Sequence, residues 1–246
     1  MLESPIEPTD TGKLPLIDLG TMPYELAYQT QCDHHEEVLA SRGSGLGELG
    51  RILIVEHPPV ITVTRRPSAS EHVTASADLL NRMGVELHAT DRGGDVTYHG
   101  PGQLVCYPII DLNACKLRLH DYIRLLEQSV IDSLAHYGIA GQREQGATGV
   151  WAPMDQSAGG ELAKVCAIGV RIRRWITLHG LAVNIAPNMD HFQLIVPCGL
   201  AGRPVQSVKQ LIGDECPSTL EFAEVLSSNL RSLIFKNIDT KTESSS

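Results

Sequence analysis

In Asp91-Arg-Gly-Gly-Asp-Val-Thr-Tyr-His-Gly-Pro-Gly-Gln-Leu-Val-Cys-Tyr107, a glycine-rich segment runs directly into an apolar one. The first part holds four glycines, a proline, a charged pair and a histidine, which cannot fill a core. Residues 104–110 have the composition of a buried strand. Since glycine lets the backbone approach a bound group closely, the stretch predicts a site-forming loop on a rigid support. An ordinary Gly/Pro hairpin is the alternative.

The segments around this stretch alternate between strand and helix patterns. Strand patterns cover 51–56, 60–64, 164–171 and 177–184, and helix patterns cover 21–40, 76–83, 120–137 and a last helix opened by the capping box Ser218-Thr-Leu-Glu221. Gly84 and Gly138 are expected to end the two middle helices. Strands interleaved with helices predict an α/β (α+β) fold, in which a mixed sheet is flanked by helices.

Composition predicts one catalytic domain, residues 14–236, because no linker-like break occurs inside it. Residues 1–13 and 237–246 are expected to be flexible tails. The absence of an export signal or a membrane-length apolar run predicts a soluble, cytoplasmic protein, which we expect to be a monomer. The six cysteines are irregularly spaced and are read as free thiols. A net charge of −9, without a basic stripe, argues against nucleic-acid binding.

A second group of chemically capable residues lies downstream. The predicted strand pair leads into Ile195-Val-Pro-Cys-Gly-Leu200, where Cys198 occupies a Pro-Cys-Gly corner. A thiol on such a corner is exposed enough to react as a thiolate, and a nearby ammonium favours that ion. Lys164 is flanked by apolar strand residues and is the candidate ammonium. The alternative for Cys198 is a small buried hydrophobe.

Two histidines compete with Lys164 for the role of base. His99 and His179 both precede a glycine, and imidazole is the commonest proton acceptor near neutral pH. We interpret both as site-shaping residues that hydrogen-bond the loop or the substrate; a structural histidine that caps a turn is the alternative. Cys32-Asp-His-His35 has no second ligand pair, so no metal site is expected.

Five motifs, in order, resemble those of the lipoyl(octanoyl) transferase family. They are Glu56-His-Pro-Pro-Val60, Arg92-Gly-Gly-Asp-Val-Thr-Tyr-His-Gly-Pro-Gly-Gln103, Lys164-Val-Cys-Ala-Ile-Gly-Val-Arg171, His179-Gly-Leu-Ala182 and Pro197-Cys-Gly-Leu200. The resemblance extends from about residue 53 to about residue 200. One position departs from the family pattern, because Thr64 stands where the family commonly has glycine. That difference bears on acyl-chain preference, not on the chemistry.

The resemblance implies an octanoyl-[acyl carrier protein]:protein N-octanoyltransferase with the fold of the biotin and lipoate protein ligase catalytic domains. Cys198 would carry the acyl group as a thioester and Lys164 would activate it. The implied substrate-binding residues are Arg92, Gly93, Gly94, Asp95, Val96, Thr97, Tyr98, His99, Ala167, Ile168, Gly169, Gly180, Leu181 and Ala182. No cofactor, ATP or metal is implied.

The implied partners are octanoyl-acyl carrier protein as donor, and as acceptors the lipoyl domains of 2-oxoacid dehydrogenase complexes and the glycine cleavage H protein. Such partners are acidic, so a chain of net charge −9 needs a local basic face. Its candidates are Arg65, Arg66, Arg82, Arg92, Arg171, Arg173 and Arg174. The alternatives are a non-catalytic binding module for the same partners and a cysteine thioesterase.

Overall fold

A computed structural model describes residues 14–42, 48–155, 160–196 and 203–243 of the chain. Its strands are β1 (Leu16–Thr21), β2 (Gly50–Glu56), β3 (Val60–Thr64), β4 (Glu86–Thr90), β5 (Val96–His99), β6 (Gln103–Ile110), β7 (Gln142–Glu144), β8 (Ala147–Pro153), β9 (Leu162–Arg173) and β10 (Ile176–Asn184). Its α-helices are α1 (Tyr24–Ser41), α2 (Ala77–Met83), α3 (Leu119–His136), α4 (Val208–Ile212) and α5 (Thr219–Glu243).

The strands form two sheets. The larger has seven strands in the order β1-β2-β6-β10-β9-β8-β7, and the smaller has three in the order β4-β3-β5. Each sheet is mixed, since β1 pairs with β2 and β3 with β4 in parallel, while the remaining pairs are antiparallel. The predicted α/β architecture with a mixed sheet flanked by helices is confirmed.

Alternating residues of the large sheet supply two hydrophobic cores. On β6, Leu104 and Cys106 point into a core with α3 and α5, whereas Val105, Tyr107 and Ile109 point into a core with α1. This period of two is what an extended strand requires when both of its faces are covered. The sheet is thus sandwiched between α1 on one side and the α3/α5 pair on the other.

The segment predicted as a site-forming loop is partly a strand. Val96 to His99 pairs with β3 in the small sheet, and all four residues are buried. Because β6 follows within a few residues, the chain passes here from the small sheet to the large one. The remaining loop residues therefore lie at the junction between the two sheets.

Local signals in the sequence marked most helix ends. Ser76 caps α2, and Gly84 ends it at φ 64°. In the predicted capping box, the Glu221 N–H donates to Ser218 Oγ at 3.2 Å, and the Ser218 N–H donates to Glu221 Oε2 at 2.8 Å. The helix predicted from residue 21 begins instead at Tyr24, because Thr21 ends β1.

The carboxy-terminal boundary differs from the predicted one. Residues 237–243, expected to be part of a tail, continue α5. Ile238 packs against the core, and the Asn237 side chain donates a hydrogen bond to the Cys115 carbonyl at 2.8 Å. These contacts account for the longer helix, because burial and a tertiary hydrogen bond stabilise its last turns.

Candidate active site

Two adjacent cavities lie where the sheets meet. The main cavity is open to solvent on one side and is lined by Tyr24, Arg92, His99, Val105, Tyr107, Ala167, Gly169, His179, Gly180, Leu181 and Ala182. The second, which we call the lysine cavity, is lined by Thr97, Gln103, Lys164, Ala167, Asn184, Phe192 and Val205. Ala167 borders both cavities, which are therefore neighbours on the sheet.

The loop after β4 closes one side of the main cavity by crossing β9. The Gly93 N–H donates to the Val170 carbonyl at 3.0 Å, and a Cβ on Gly169 would lie 2.6 Å from the Gly93 carbonyl oxygen. Only glycine at 169 permits so close an approach. The Arg92 guanidinium is held across the junction, since Nη2 donates to the carbonyl and the hydroxyl of Thr62 at 3.0 Å each.

A partly buried acid, Asp91, organises the far end of the main cavity. Asp91 accepts hydrogen bonds from Tyr28 Oη at 2.9 Å and from His179 Nε2 at 2.8 Å, and it pairs with Arg171. The His179 ring stacks on Tyr28 with centroids 5.3 Å apart. Since a carboxylate only accepts, the proton of His179 is on Nε2, and its buried Nδ1 has no partner among the described residues.

The backbone of His179 is also constrained. Its φ is 58°, in the left-handed region that non-glycine residues rarely adopt, and its N–H donates to Gln31 Oε1 at 2.8 Å. Burial, together with the nearby Arg92 and Arg171, lowers the pKa of His179 to about 3. The imidazole at this end of the cavity is therefore neutral and presents a lone pair.

Two further neutral imidazoles lie at the cavity: His99 lines it, and His57 packs against His99. His57 Nδ1 lies 2.7 Å from the Met22 carbonyl, so Nε2 is the acceptor for Tyr107 Oη at 2.8 Å. His99 Nδ1 lies 2.7 Å from Gln103 Oε1. Burial lowers the pKa of His57 to about 4, and burial together with neighbouring His57 lowers that of His99 to about 3. These rings act as hydrogen-bonding groups and carry no charge at neutral pH.

Lys164 lies at the other end of the site. The residue is 7% exposed, and Nζ donates to the Thr148 carbonyl at 3.1 Å while lying 4.8 Å from the Trp151 ring centroid. Val170, the partner of His179 in the β9–β10 register, lies six residues along β9 from Lys164. At about 3.3 Å per residue, this separates the lysine and the histidine by roughly 20 Å along the strand. One sulfur atom cannot be within hydrogen-bond reach of both.

The chain returns to Lys164 soon after Cys198. Beyond Cys166, the edge of β9 that β10 vacates is taken by residues 204–206: the Lys164 N–H donates to the Pro204 carbonyl at 2.9 Å, and the Gln206 N–H donates to the Lys164 carbonyl at 3.0 Å. Before Cys198 in the sequence, the Val196 N–H donates to the His72 carbonyl at 2.7 Å. Cys198 itself lies outside the described residues.

Comparison with known proteins decides the family. Residues 27–231 match the family model for the lipoyl protein ligase A/B catalytic domain. The octanoyltransferase of Gloeobacter violaceus is 44% identical over 206 residues, which is 84% of this chain and 82% of the relative. The chain belongs to the octanoyltransferase family. It is an enzyme of the acyltransferase class.

Solved structures place this octanoyltransferase family member in a wider fold group. A bi-partite lipoate protein ligase from Thermoplasma acidophilum matches with a TM-score of 0.60 at 19% identity, covering 93% of this chain and 92% of the other. The biotin protein ligase from Aquifex aeolicus matches with a TM-score of 0.51 at 11% identity, covering 92% of this chain and 71% of the other. The predicted biotin and lipoate ligase fold is confirmed.

The structure distributes the predicted site residues of the enzyme over several environments. Of these residues, the main cavity is lined by Arg92, His99, Ala167, Gly169, Gly180, Leu181 and Ala182. The lysine cavity is lined by Thr97, Lys164 and Ala167. Val96 and Tyr98 pack inside the small-sheet core, and Ile168 packs against the α3/α5 core. Gly93 and Gly94 contribute main-chain carbonyl and N–H groups at the sheet junction, and Asp95 lies 2.8 Å from the His72 ring.

Sequence reasoning missed several residues that line or order the cavities. Tyr24, Val105 and Tyr107 line the main cavity, and Asp91 orders its far end. Alternation along β6 was the available signal for Val105 and Tyr107, since both share the α1 side of the sheet. No local signal pointed to Tyr24, which reaches the cavity from α1.

Within the described ranges, no helix combines the length and the apolar composition needed to cross a bilayer.

Proposed function

We propose that this enzyme moves an octanoyl (or lipoyl) group from acyl carrier protein to a lysine of a lipoyl domain through a thioester on Cys198. Lys164 is proposed as the group that activates the thiol. The observation that carries the proposal is the position of Lys164, which is buried, lines the lysine cavity and is bonded through its backbone to residues 204–206, shortly after Cys198. Burying a lysine ammonium costs free energy, so its place beside this segment favours a role in the chemistry.

The first half-reaction is thiol exchange. The Cys198 thiolate attacks the carbonyl carbon of the donor thioester, a new C–S bond forms, and the C–S bond to the carrier's phosphopantetheine breaks. The departing thiolate takes its proton from the Lys164 ammonium, which leaves a neutral amine in the site. The incoming acyl group is already activated, so no nucleotide is consumed.

The second half-reaction returns Lys164 to its starting state. The amine of the acceptor lysine attacks the Cys198 thioester, a C–N bond forms, and the Cys198 sulfur leaves as a thiolate. Neutral Lys164 accepts the proton that the attacking amine loses. The resulting ammonium again pairs with the thiolate, and the cycle is balanced in protons and charge.

The main cavity supports an apolar acyl chain as the substrate. Val105, Leu181 and Ala182 give it apolar walls, and Ala167 links it to the lysine cavity. A chain attached near Lys164 therefore has an adjacent place in which to bury its methylene groups, each of which contributes about 0.8 kcal/mol when fully removed from water.

The acidic carrier protein is proposed as a partner from surface charge, and the lipoyl domain from family membership. Arg65 and Arg66 are exposed directly after β3, close in sequence to the sheet junction, and offer positive charge to an acidic carrier protein. Arg173 and Arg171 contribute less, because they pair with Glu36 and Asp91 respectively. The lipoyl-domain acceptor follows from the family to which the chain belongs.

Intact-mass measurement tests the proposal. The protein is mixed with octanoyl-acyl carrier protein, and then with an unmodified lipoyl domain. We expect an octanoyl adduct that is absent in Cys198→Ser, is slowed in Lys164→Ala, and moves to the lipoyl domain. Cys216→Ser is the matched control and should behave as wild type. Absence of any adduct would support a binding module instead, and an adduct lost only to water would support a thioesterase.

A further inference from the structure

Trp151 on β8 holds two cations against one indole ring. Lys164 Nζ lies 4.8 Å from the ring centroid, and the Arg203 guanidinium carbon lies 4.5 Å from it. The ring is 1% exposed, and its Nε1–H donates to the Ala147 carbonyl at 3.3 Å. Indole is the strongest aromatic partner for a cation, and the attraction increases when water is excluded.

The two cations come from β9 and from the segment that pairs with β9 at Lys164. Lys164 faces Trp151 across the β8–β9 pair, just past a register irregularity at Val150 and Trp151. Arg203 belongs to the segment that joins β9 at Lys164, where it directly precedes Pro204. One side chain therefore contacts both the buried lysine and the chain that returns to it.

The surrounding structure holds the indole and its partners in place. Gln206, two residues past Pro204, donates from Nε2 to the Ala152 carbonyl at 2.8 Å, so the returning segment is also bonded to β8. On the opposite side, Glu127 of α3 accepts a hydrogen bond from the Gly149 N–H at 3.2 Å. This bond secures β8 beside Thr148, whose carbonyl accepts from Lys164.

We propose that Trp151 is a positioning residue for acyl transfer. Its indole holds the Lys164 ammonium in place. By binding Arg203 as well, the indole sets the distance between that ammonium and the returning segment, residues 203–206. The proposal rests on the roles proposed for Lys164 and Cys198. It differs from a packing role, because an aliphatic side chain of similar size would fill the space without attracting either cation. Phenylalanine would keep part of the attraction and leucine none of it.

The test compares Trp151→Leu, Trp151→Phe and Arg203→Gln in the full chain, with Phe222→Leu as a control. Phe222 is buried on α5 in the α3/α5 core, so its replacement costs stability without changing a contact of Lys164. The readouts are the octanoylation rate and the pH midpoint of Cys198 alkylation by iodoacetamide. We expect Trp151→Leu to slow octanoylation by roughly tenfold or more and to raise the midpoint, with Trp151→Phe partly rescued.

Arg203→Gln should slow octanoylation by a smaller factor, and Phe222→Leu should lower the melting temperature with an unchanged midpoint. An unchanged midpoint and rate in folded Trp151→Leu would overturn the proposal. Should Trp151→Leu not fold, wild-type values in both Trp151→Phe and Arg203→Gln would do the same. Failure of the proposed function gives a different result. The wild-type protein would then form no octanoyl adduct, whereas the midpoints of Cys198 alkylation would still report on the role of Trp151.

Discussion

Asp91 Oδ1 lies 2.8 Å from His179 Nε2, although the two residues are 88 positions apart in the chain. The same carboxylate accepts from Tyr28 and pairs with Arg171. One acid thus joins α1, the loop after β4, and both strands of the β9–β10 hairpin. Its loss should affect stability as well as the chemistry of the main cavity.

Asp91→Asn should lower the free energy of unfolding by about 1–3 kcal/mol, because it removes the charge that satisfies Arg171 and Tyr28. The side chain of Arg171 is 39% exposed, so its share of the loss is reduced by solvent. Urea titration measures the effect. In the double variant with Tyr28→Phe, we expect the two losses not to add, since Asp91→Asn weakens the hydrogen bond that Tyr28→Phe removes. Strict additivity would contradict the shared-acid interpretation.

Stability should fall as the pH is lowered from about 6.5 towards 4. His57, His99 and His179 have folded-state pKa values lowered to about 4, 3 and 3, so the unfolded chain binds protons that the folded chain does not. Each group then contributes a slope near 1.4 kcal/mol per pH unit, or roughly 4 for the three together. Urea midpoints measured at several pH values report the slope.

His57→Gln should reduce that slope by about 1.4 kcal/mol per unit, because one titrating group is lost. Tyr107→Phe is the control, since it removes the hydroxyl bonded to His57 but keeps the buried imidazole. It should lower stability and keep most of the slope. An undiminished slope in His57→Gln would show that His57 is protonated in the folded state.

Thr64 should not set the acyl-chain preference. Its hydroxyl donates to the Gly94 carbonyl at 3.3 Å, and its side chain lines neither cavity. Thr64→Gly should cost about 1–2 kcal/mol of stability, from a lost hydrogen bond and a more flexible strand. Relative octanoylation and decanoylation rates should stay as in wild type. Ala182→Val, which narrows the main cavity, should instead favour shorter chains, and a preference change in Thr64→Gly alone would refute this assignment.

Three cysteines should resist alkylation. Cys106, Cys115 and Cys166 are buried, and burial raises the pKa of Cys106 and of Cys115 to about 12 and that of Cys166 further. At pH 7.5 the thiolate fraction at Cys106 is then on the order of 10⁻⁵ to 10⁻⁴. Peptide mass spectrometry after brief iodoacetamide treatment should find Cys198 modified well before these three. Early modification of Cys166 would contradict the packing around β9.

The sequence by itself determined the elements whose signals are local. Ser76, Gly84 and the Ser218/Glu221 box marked helix ends, because a cap is made within a few residues of the chain. Alternation predicted the strand pair of β9 and β10. The motif order also led to the family and to Lys164 as a candidate site residue.

Tertiary structure alone decided which groups meet. Tyr24 reaches the cavity from α1, Asp91 bonds residues 63 and 88 positions away, and Trp151 brings Lys164 and Arg203 onto one ring. Periodicity reports which face of an element is buried, but not which distant residue lies opposite. For the same reason α5 extends to Glu243: its last turns are stabilised by contacts with Cys115 and the core, which the polar composition of that segment does not reveal.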